Sequence, residues 1–159
     1  MRDRFGTKVY KIALDAGLTC PNRDGTIDTR GCIFCSEGGS GEFAQKITLE
    51  NVKEQLENAK KRIEKKNNGG KYMAYFQAFS NTYGPIKYLE SIFTECIMQE
   101  DIVALSIATR PDCIGDEVLE LLQKLNKIKP VFVELGLQTI HENSAQYIRR
   151  GYALSVFDD

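Results

Sequence analysis

Apolar positions along the chain follow two rhythms that alternate four times. Residues 9–14 form a short apolar stretch and predict a first strand. Residues 72–79, 102–108 and 131–137 are nearly continuous apolar runs, the pattern of parallel strands covered on both faces. Between them, apolar residues recur at steps of three and four, which draws helical stripes. Leu49, Val52, Leu56, Ala59 and Ile63 make the first stripe, with Thr48 as N-cap, an outer Glu57–Lys61 pair and Asn67-Asn68-Gly69-Gly70 as the stop. Ile86, Leu89, Phe93 and Ile97 make the second, opened by Gly84 and by Pro85 in the first turn. Val118, Leu121, Leu122 and Leu125 make the third, over residues 116–126. Thr139 and Glu142 have capping-box spacing and predict a fourth helix that ends near Arg150-Gly151. The residues before position 8 are polar and read as a trailing piece.

This βα order implies an α/β fold with a parallel sheet and right-handed crossovers. A closed eight-stranded barrel needs twice as many units. A fourth strand without a neighbour leaves an apolar edge open to association. The chain therefore reads as the first four units of a longer domain, truncated, and is expected alone to be poorly stable or to self-associate through that strand.

One stretch breaks the rhythm. Residues 15–43 are rich in turn formers, among them Pro21, Asn22, Asp24, Gly25 and Gly31, and a loop of this length in a compact domain is usually functional. It carries Cys20, Cys32 and Cys35 as C-x11-C-x2-C. Thiolates are soft ligands, and the short second gap lets Cys32 and Cys35 aim at one centre. A closed zinc site needs four ligands, whereas a cubane iron–sulfur cluster on three cysteines keeps one iron open. The other reading is a non-enzymatic thiolate module, zinc or regulatory iron–sulfur, with Cys113 or His141 as fourth ligand. Cys96 falls on the apolar face of the second helix and reads as packing. Cys113 reads as a packing or surface thiol, and His141 as an exposed residue in the first turn of the last helix.

In parallel α/β sheets, ligands sit beyond the C-terminal strand ends. That rule selects the three cysteines, then Gln77, Ser80, Asn81 and Thr82, then Ser106, Thr109, Arg110 and Asp112, and finally Glu134, Gln138 and Thr139. Glu134 and Gln138 lie four apart, so strand alternation points both to one interior. A buried Glu134 needs a partner, for which Arg110 is placed; the alternative is that Glu134 and Gln138 bind a ligand.

Composition narrows this further. With 159 residues, 42% hydrophobic and 27% charged, the chain is an ordinary globular domain. A net charge of −1 makes no electrostatic case for nucleic acid. The basic run Lys60-Lys61-Arg62, continued by Lys65-Lys66, is interleaved with acidic residues and reads as a solvated helix face. No apolar run reaches membrane-spanning length and no secretory signal is visible. A cytoplasmic location is expected, where five cysteines are better read as thiols or ligands than as disulfides.

The loop after the first strand, ending Cys32-Ile33-Phe34-Cys35 with an aromatic before the last cysteine, resembles the radical S-adenosylmethionine (SAM) superfamily. The commonest spacing there is C-x3-C-x2-C; a longer first gap is typical of the branch related to the elongator catalytic subunit. The segments KVYKIALDAGLTCPNRDG, IATRPDC and VELGLQT resemble the bacterial YhcC-like group of that branch, over nearly the whole chain. The resemblance implies one radical SAM core domain over residues 1–159, part of a (β/α)6 TIM-like partial barrel incomplete at its C-terminus. It implies a [4Fe–4S] cluster on Cys20, Cys32 and Cys35, with the fourth iron chelating the amino and carboxylate groups of SAM. Reductive cleavage would give methionine and a 5′-deoxyadenosyl radical that abstracts hydrogen from a substrate. Phe34 would lie beside the adenine. The family's Gly-Gly-Glu segment is absent, and Gln77, Asn81 and backbone carbonyls stand in its place. Ser106, Arg110, Glu134 and Gln138 are carried over as SAM or substrate contacts, the last two near the ribose. The partners implied are a one-electron donor of flavodoxin or ferredoxin type and the missing C-terminal half of the barrel. The substrate implied is tRNA or another RNA, with a small molecule as the alternative. No catalytic residue is assigned.

Overall fold

The computed structural model describes residues 2–66 and 69–158. A short helix α1 (Arg2–Phe5) precedes β1 (Val9–Asp15). The cysteine loop leads to a two-residue strand β2 (Gln45–Lys46), and α2 (Val52–Ile63) follows. Then come β3 (Lys71–Phe76), α3 (Ile86–Ile97), β4 (Ile102–Thr109), α4 (Asp116–Asn126), β5 (Val131–Leu135), α5 (Glu142–Tyr147) and α6 (Ser155–Asp158). The strands form one parallel sheet in the order β2-β1-β3-β4-β5.

Alternation along the strands divides the two faces. Ile12 and Leu14, Ala74 and Phe76, Leu105 and Ile107 point to one side, where they are buried with Leu56, Leu89, Phe93 and Leu125 of the covering helices. Phe76 and Phe93 meet edge to face, with centroids 4.7 Å apart, a geometry that suits the ring quadrupoles. Cys96 is fully buried in this layer, where burial pushes its thiol up to about 12, so it packs as expected. The opposite face is not a second helical layer. It presents Lys11, Tyr75, Ser106 and Glu134, one from each of four neighbouring strands, and the Lys11 ammonium pairs with the Glu134 carboxylate. β1 and β5 are three strand spacings apart, about 14 Å in a flat sheet. The pair closes because the sheet twists and curls toward this face. The leading polar residues belong here too: Arg4 of α1 lies 5.1 Å from the Phe132 ring centroid.

Several boundaries differ from the sequence expectation, each for a local reason. β3 stops at Phe76 because Phe79 turns the chain with φ 61°, and β5 stops at Leu135 ahead of Gln138 at φ 68°. α2 starts at Val52, not after Thr48: the Asn51 carboxamide oxygen accepts the Thr48 N–H (2.8 Å), and Leu49 stays exposed. Pro85 caps α3 rather than entering its first turn. The Thr139–Glu142 box does not form; Thr139 Oγ1 accepts the N–H of His141, which is the N-cap of α5. α5 ends at Tyr147, before Arg150-Gly151. The Asn67-Asn68 stop lies outside the described residues. Glu57 pairs with Lys60, not Lys61, and Lys60 also reaches Asp101 at 2.5 Å. Lys60 is buried, so the basic run is not a uniformly solvated face. Burial works against its charge, but the bonds to Asp101 and Glu57 outweigh it and hold the ammonium above its usual range.

Candidate functional site

The cysteine loop is built from turns that hold its three thiols inward. The Cys20 carbonyl accepts N–H groups from Arg23 (2.8 Å) and Asp24 (3.2 Å), and the Cys35 N–H returns to the Cys32 carbonyl (3.0 Å). Arg23 staples the two turns together, donating to the carbonyls of Cys35 and Ser36. Gly31 leaves room for it: a Cβ there would stand 2.9 Å from Arg23 Nε. Farther along, the Phe79 N–H bonds the Gly39 carbonyl, which seats the end of the loop on the chain leaving β3.

These turns form one wall of a cavity of about 300 Å³ at the C-terminal strand ends. Cys20, Cys32 and Cys35 line it together with Phe34. The opposite wall carries Gln77, Arg110, Glu134 and Gln138, so residues chosen by the strand-end rule meet across one space. Phe34 is half-exposed and is not a core plug. The Gln77 amide donates to the Ser40 carbonyl (2.8 Å), tying the strand end to the loop. Gln138 reaches the cavity from a left-handed turn beyond β5, not by strand alternation.

Three expected contacts are redirected. Arg110 does not pair with Glu134; its guanidinium grips Asp112 by two bonds of 2.8 and 2.6 Å. Burial opposes the Arg110 charge, and the Asp112 bonds more than offset it, raising its pKa. Asn81 is fully buried and does not line the cavity. Its amide donates to the carbonyls of Phe76 (3.1 Å) and Ala108 (2.8 Å) and so ties the ends of β3 and β4. Ser106 is buried behind Glu134 and donates to its carboxylate.

Glu134 is therefore held by Lys11 and Ser106, with the Tyr75 phenol also in reach. Burial raises its pKa, but these donors win and hold it below the ordinary 4.5. A carboxylate depressed in the folded state stabilises above its unfolded pKa and loses that contribution as pH falls through the folded value. The pair is 43% and 42% exposed, so solvent screening keeps the effect under about 1 kcal/mol. Urea denaturation should show Glu134→Gln slightly less stable than wild type at pH 7, with the gap closing as the pH falls through the lowered folded-state pKa; an unchanged gap would remove the ionised carboxylate from the account.

The site also contains residues that sequence reasoning passed over. Asn22, noted only as a turn former, is 1% exposed, and its amide lies 3.2 Å from Cys32 Sγ. Burial pushes the Cys32 thiol up, and this amide acts against it. Arg150, noted only as a helix end, is 1% exposed and lines the cavity. Its Nη1 donates to the Thr139 carbonyl (2.5 Å), while its buried Nη2 makes no hydrogen bond among the described residues and lies 3.9 Å from the Glu142 carboxylate, an ion-pair contact. Tyr152 stacks between Arg150 (4.7 Å) and Arg110 (5.1 Å) and donates to the Gly136 carbonyl. A buried arginine is a weak expectation from sequence, and no local spacing marks it.

The donor set bears on the single-zinc form of the module reading. Among the described residues, no three His, Cys, Asp or Glu side chains are grouped to hold one metal ion. Cys113 is buried behind Asp112 with its thiol pushed up to about 12 by burial first and that carboxylate second, and His141 is exposed; neither lines the cavity. Neither of the residues named as a fourth zinc ligand shares the cavity of the three cysteines. Three thiols lining one cavity with the Arg110 and Arg150 guanidiniums fit a cluster with an open corner and a polar ligand beside it. Among the described residues, no helix is long and apolar enough to cross a membrane.

Comparison with known proteins agrees with this donor set. A sequence profile described as the radical SAM superfamily matches residues 28–158. The match includes Cys32 and Cys35 and begins after Cys20, so the link to Cys20 rests on the shared cavity. The protein YtqA of Bacillus subtilis is 46% identical over 99% of this chain and 48% of its own length. The protein YhcC of Escherichia coli K12 is 38% identical over 97% of this chain and 48% of its own length. A Methanocaldococcus jannaschii protein is 34% identical over 98% of this chain and 47% of its own length. The chain spans about half the length of these curated relatives.

Proposed function

The chain belongs to the radical SAM superfamily, and on that premise we propose that it is the cluster-bearing part of a radical SAM enzyme core. The observation that carries this reading is that Cys20, Cys32 and Cys35 line one cavity that neither Cys113 nor His141 lines. The three thiolates would hold a [4Fe–4S] cluster, and the open iron would take the amino and carboxylate groups of SAM. Such a cluster, reduced by a flavodoxin- or ferredoxin-type donor, supplies the electron that converts SAM to methionine and a 5′-deoxyadenosyl radical for hydrogen abstraction.

The protein's own share is placement. Phe34 offers an uncovered ring face beside the cysteines, suited to an adenine. Glu134, kept ionised by Lys11 and Ser106, is an acceptor for ribose hydroxyls. Gln77 and Gln138 add amide groups at the rim, in place of a Gly-Gly-Glu segment. The sheet would continue past β5 in a barrel of six units, closing the polar face from water. We place RNA, and tRNA in particular, as the substrate class on the resemblance to the elongator branch; the RNA-binding surface would then belong largely to segments outside these residues, since the net charge here is −1.

Anaerobic reconstitution with iron and sulfide tests the reading. The dithionite-reduced protein is examined by EPR before and after SAM, beside Cys32→Ala. A cubane signal that SAM perturbs, and that the variant loses, is expected. A cubane signal indifferent to SAM would separate cluster binding from SAM binding, and tight zinc with no sulfide would overturn the enzyme reading in favour of a thiolate module.

A further inference from the structure

Asn22 stands two residues after Cys20 and is almost wholly buried; its backbone carbonyl accepts the Gly31 N–H (2.7 Å) within the loop, while its side chain reaches Cys32 and the chain that follows α5. Its Nδ2 faces three acceptors: the Arg149 carbonyl at 2.7 Å, the Arg150 carbonyl at 3.2 Å and Cys32 Sγ at 3.2 Å. The amide has two hydrogens. Three acceptors therefore compete for two hydrogens, with the Arg149 carbonyl nearest and Cys32 Sγ and the Arg150 carbonyl equally distant. The orientation is settled by chemistry: a flipped amide would set its oxygen 2.7 Å from a carbonyl oxygen, which is repulsive.

The acceptors are themselves fixed. Arg149 at φ 57° and Gly151 at φ 82° turn the chain so that successive carbonyls face the loop. The Arg110 guanidinium holds the Arg150 carbonyl from the other side (2.9 Å). Gly151 is required for this approach, since a Cβ there would stand 2.4 Å from Asn22 Oδ1. The amide is thus a fixed dipole with its positive end at Cys32.

As a thiol, Cys32 lies within donating reach of the Arg149 carbonyl (3.3 Å). As a ligand it has no proton, and its sulfur is only an acceptor. The Asn22 N–H is then the side-chain donor placed to meet it. Hydrogen bonds to cluster sulfurs favour the more negative redox state and tune the potential.

We propose, resting on the cluster reading above, that Asn22 sets the reduction potential of the cluster by donating an N–H···S hydrogen bond to Cys32. It is a positioning residue: the electron comes from the one-electron donor and enters the cluster, no protein bond forms or breaks, and the amide stabilises the added charge.

The test is an EPR-monitored redox titration of the full chain after anaerobic reconstitution, for wild type, Asn22→Ala and Asn22→Asp. Asn22→Ala is expected to lower the ratio of reduced to oxidised cluster at a fixed potential about tenfold, a shift of about 59 mV to more negative values for one electron. Asn22→Asp keeps the size, replaces the donor with a carboxylate, and should shift the same way and farther. Equal midpoints in all three proteins would overturn the proposal and leave the cluster reading standing; no cluster in the wild type would overturn both. Should the variants fail to assemble, the wild type decides by itself. With asparagine side-chain amides labelled with 15N, pulsed EPR of the reduced cluster should show a nitrogen coupling, and its absence would overturn the proposal.

Discussion

Asp112→Ala should lower the unfolding free energy by about 1–3 kcal/mol, the cost of leaving a buried charged donor without its partner; the figure stays below that of a fully buried ion pair because Asp112 itself is an exposed residue. Arg110 is 8% exposed, and Asp112 supplies both bonds along one edge of its guanidinium. Without Asp112, the cation keeps the Arg150 carbonyl and the Tyr152 face, neither of which carries a compensating charge. The loss propagates. Arg110 is what fixes the Arg150 carbonyl, and through it the segment that closes one side of the cavity. Asp112→Asn restores one bond but not the charge, so it should fall between wild type and alanine. Urea denaturation of the three proteins gives the order. An alanine variant within about 1 kcal/mol of wild type would mean that water reaches Arg110 and that the pair is a surface pair in energetic terms.

Much of this molecule was legible in its residues, and the limit of legibility is physical. Residues 116–126 were read to the residue, because Val118, Leu121, Leu122 and Leu125 form an amphipathic stripe between a glycine and a lysine-rich end. The parallel order followed from the alternation of apolar runs and stripes. The ends of β3 and β5 did not, because Phe79 and Gln138 adopt left-handed backbone that their residue types do not announce. β2 escaped because two residues carry no period. The same division holds at the cavity. The strand-end rule found Gln77, Arg110, Glu134 and Gln138, since position along a strand is a local property. It also chose Asn81 and Ser106, whose polar groups turn out to serve the Phe76 and Ala108 carbonyls and Glu134. Asn22 and Arg150 were passed over because their partners are remote: Asn22 meets the Arg149 carbonyl across 127 positions. Lys11 and Glu134, paired across 123 positions, were separated for the same reason.

Gly41→Ala should disable the site without touching a ligand. A Cβ at position 41 would stand 2.6 Å from Ala78 Cβ, 3.0 Å from Ala78 Cα and 3.1 Å from the Gly38 carbonyl oxygen. None of these is the end of a flexible side chain, so the loop or the strand end must move. Overpacking of this kind costs about 1–3 kcal/mol. The strand end is the buried partner and the loop the exposed one, so the loop should give way. The Gln77–Ser40 and Phe79–Gly39 bonds then break, and Cys35, five residues before Ser40, loses its seat relative to Cys20 and Cys32. After reconstitution, iron bound per chain should fall at least several-fold, with a lowered melting temperature. Gly38→Ala is the matched comparison, because its Cβ would meet nothing closer than 3.6 Å, and it should retain both cluster and stability. If Gly41→Ala binds iron as well as Gly38→Ala does, the cysteine wall does not depend on the seat over Ala78, and the cluster nest must be organised by the Cys20 and Cys32 turns alone.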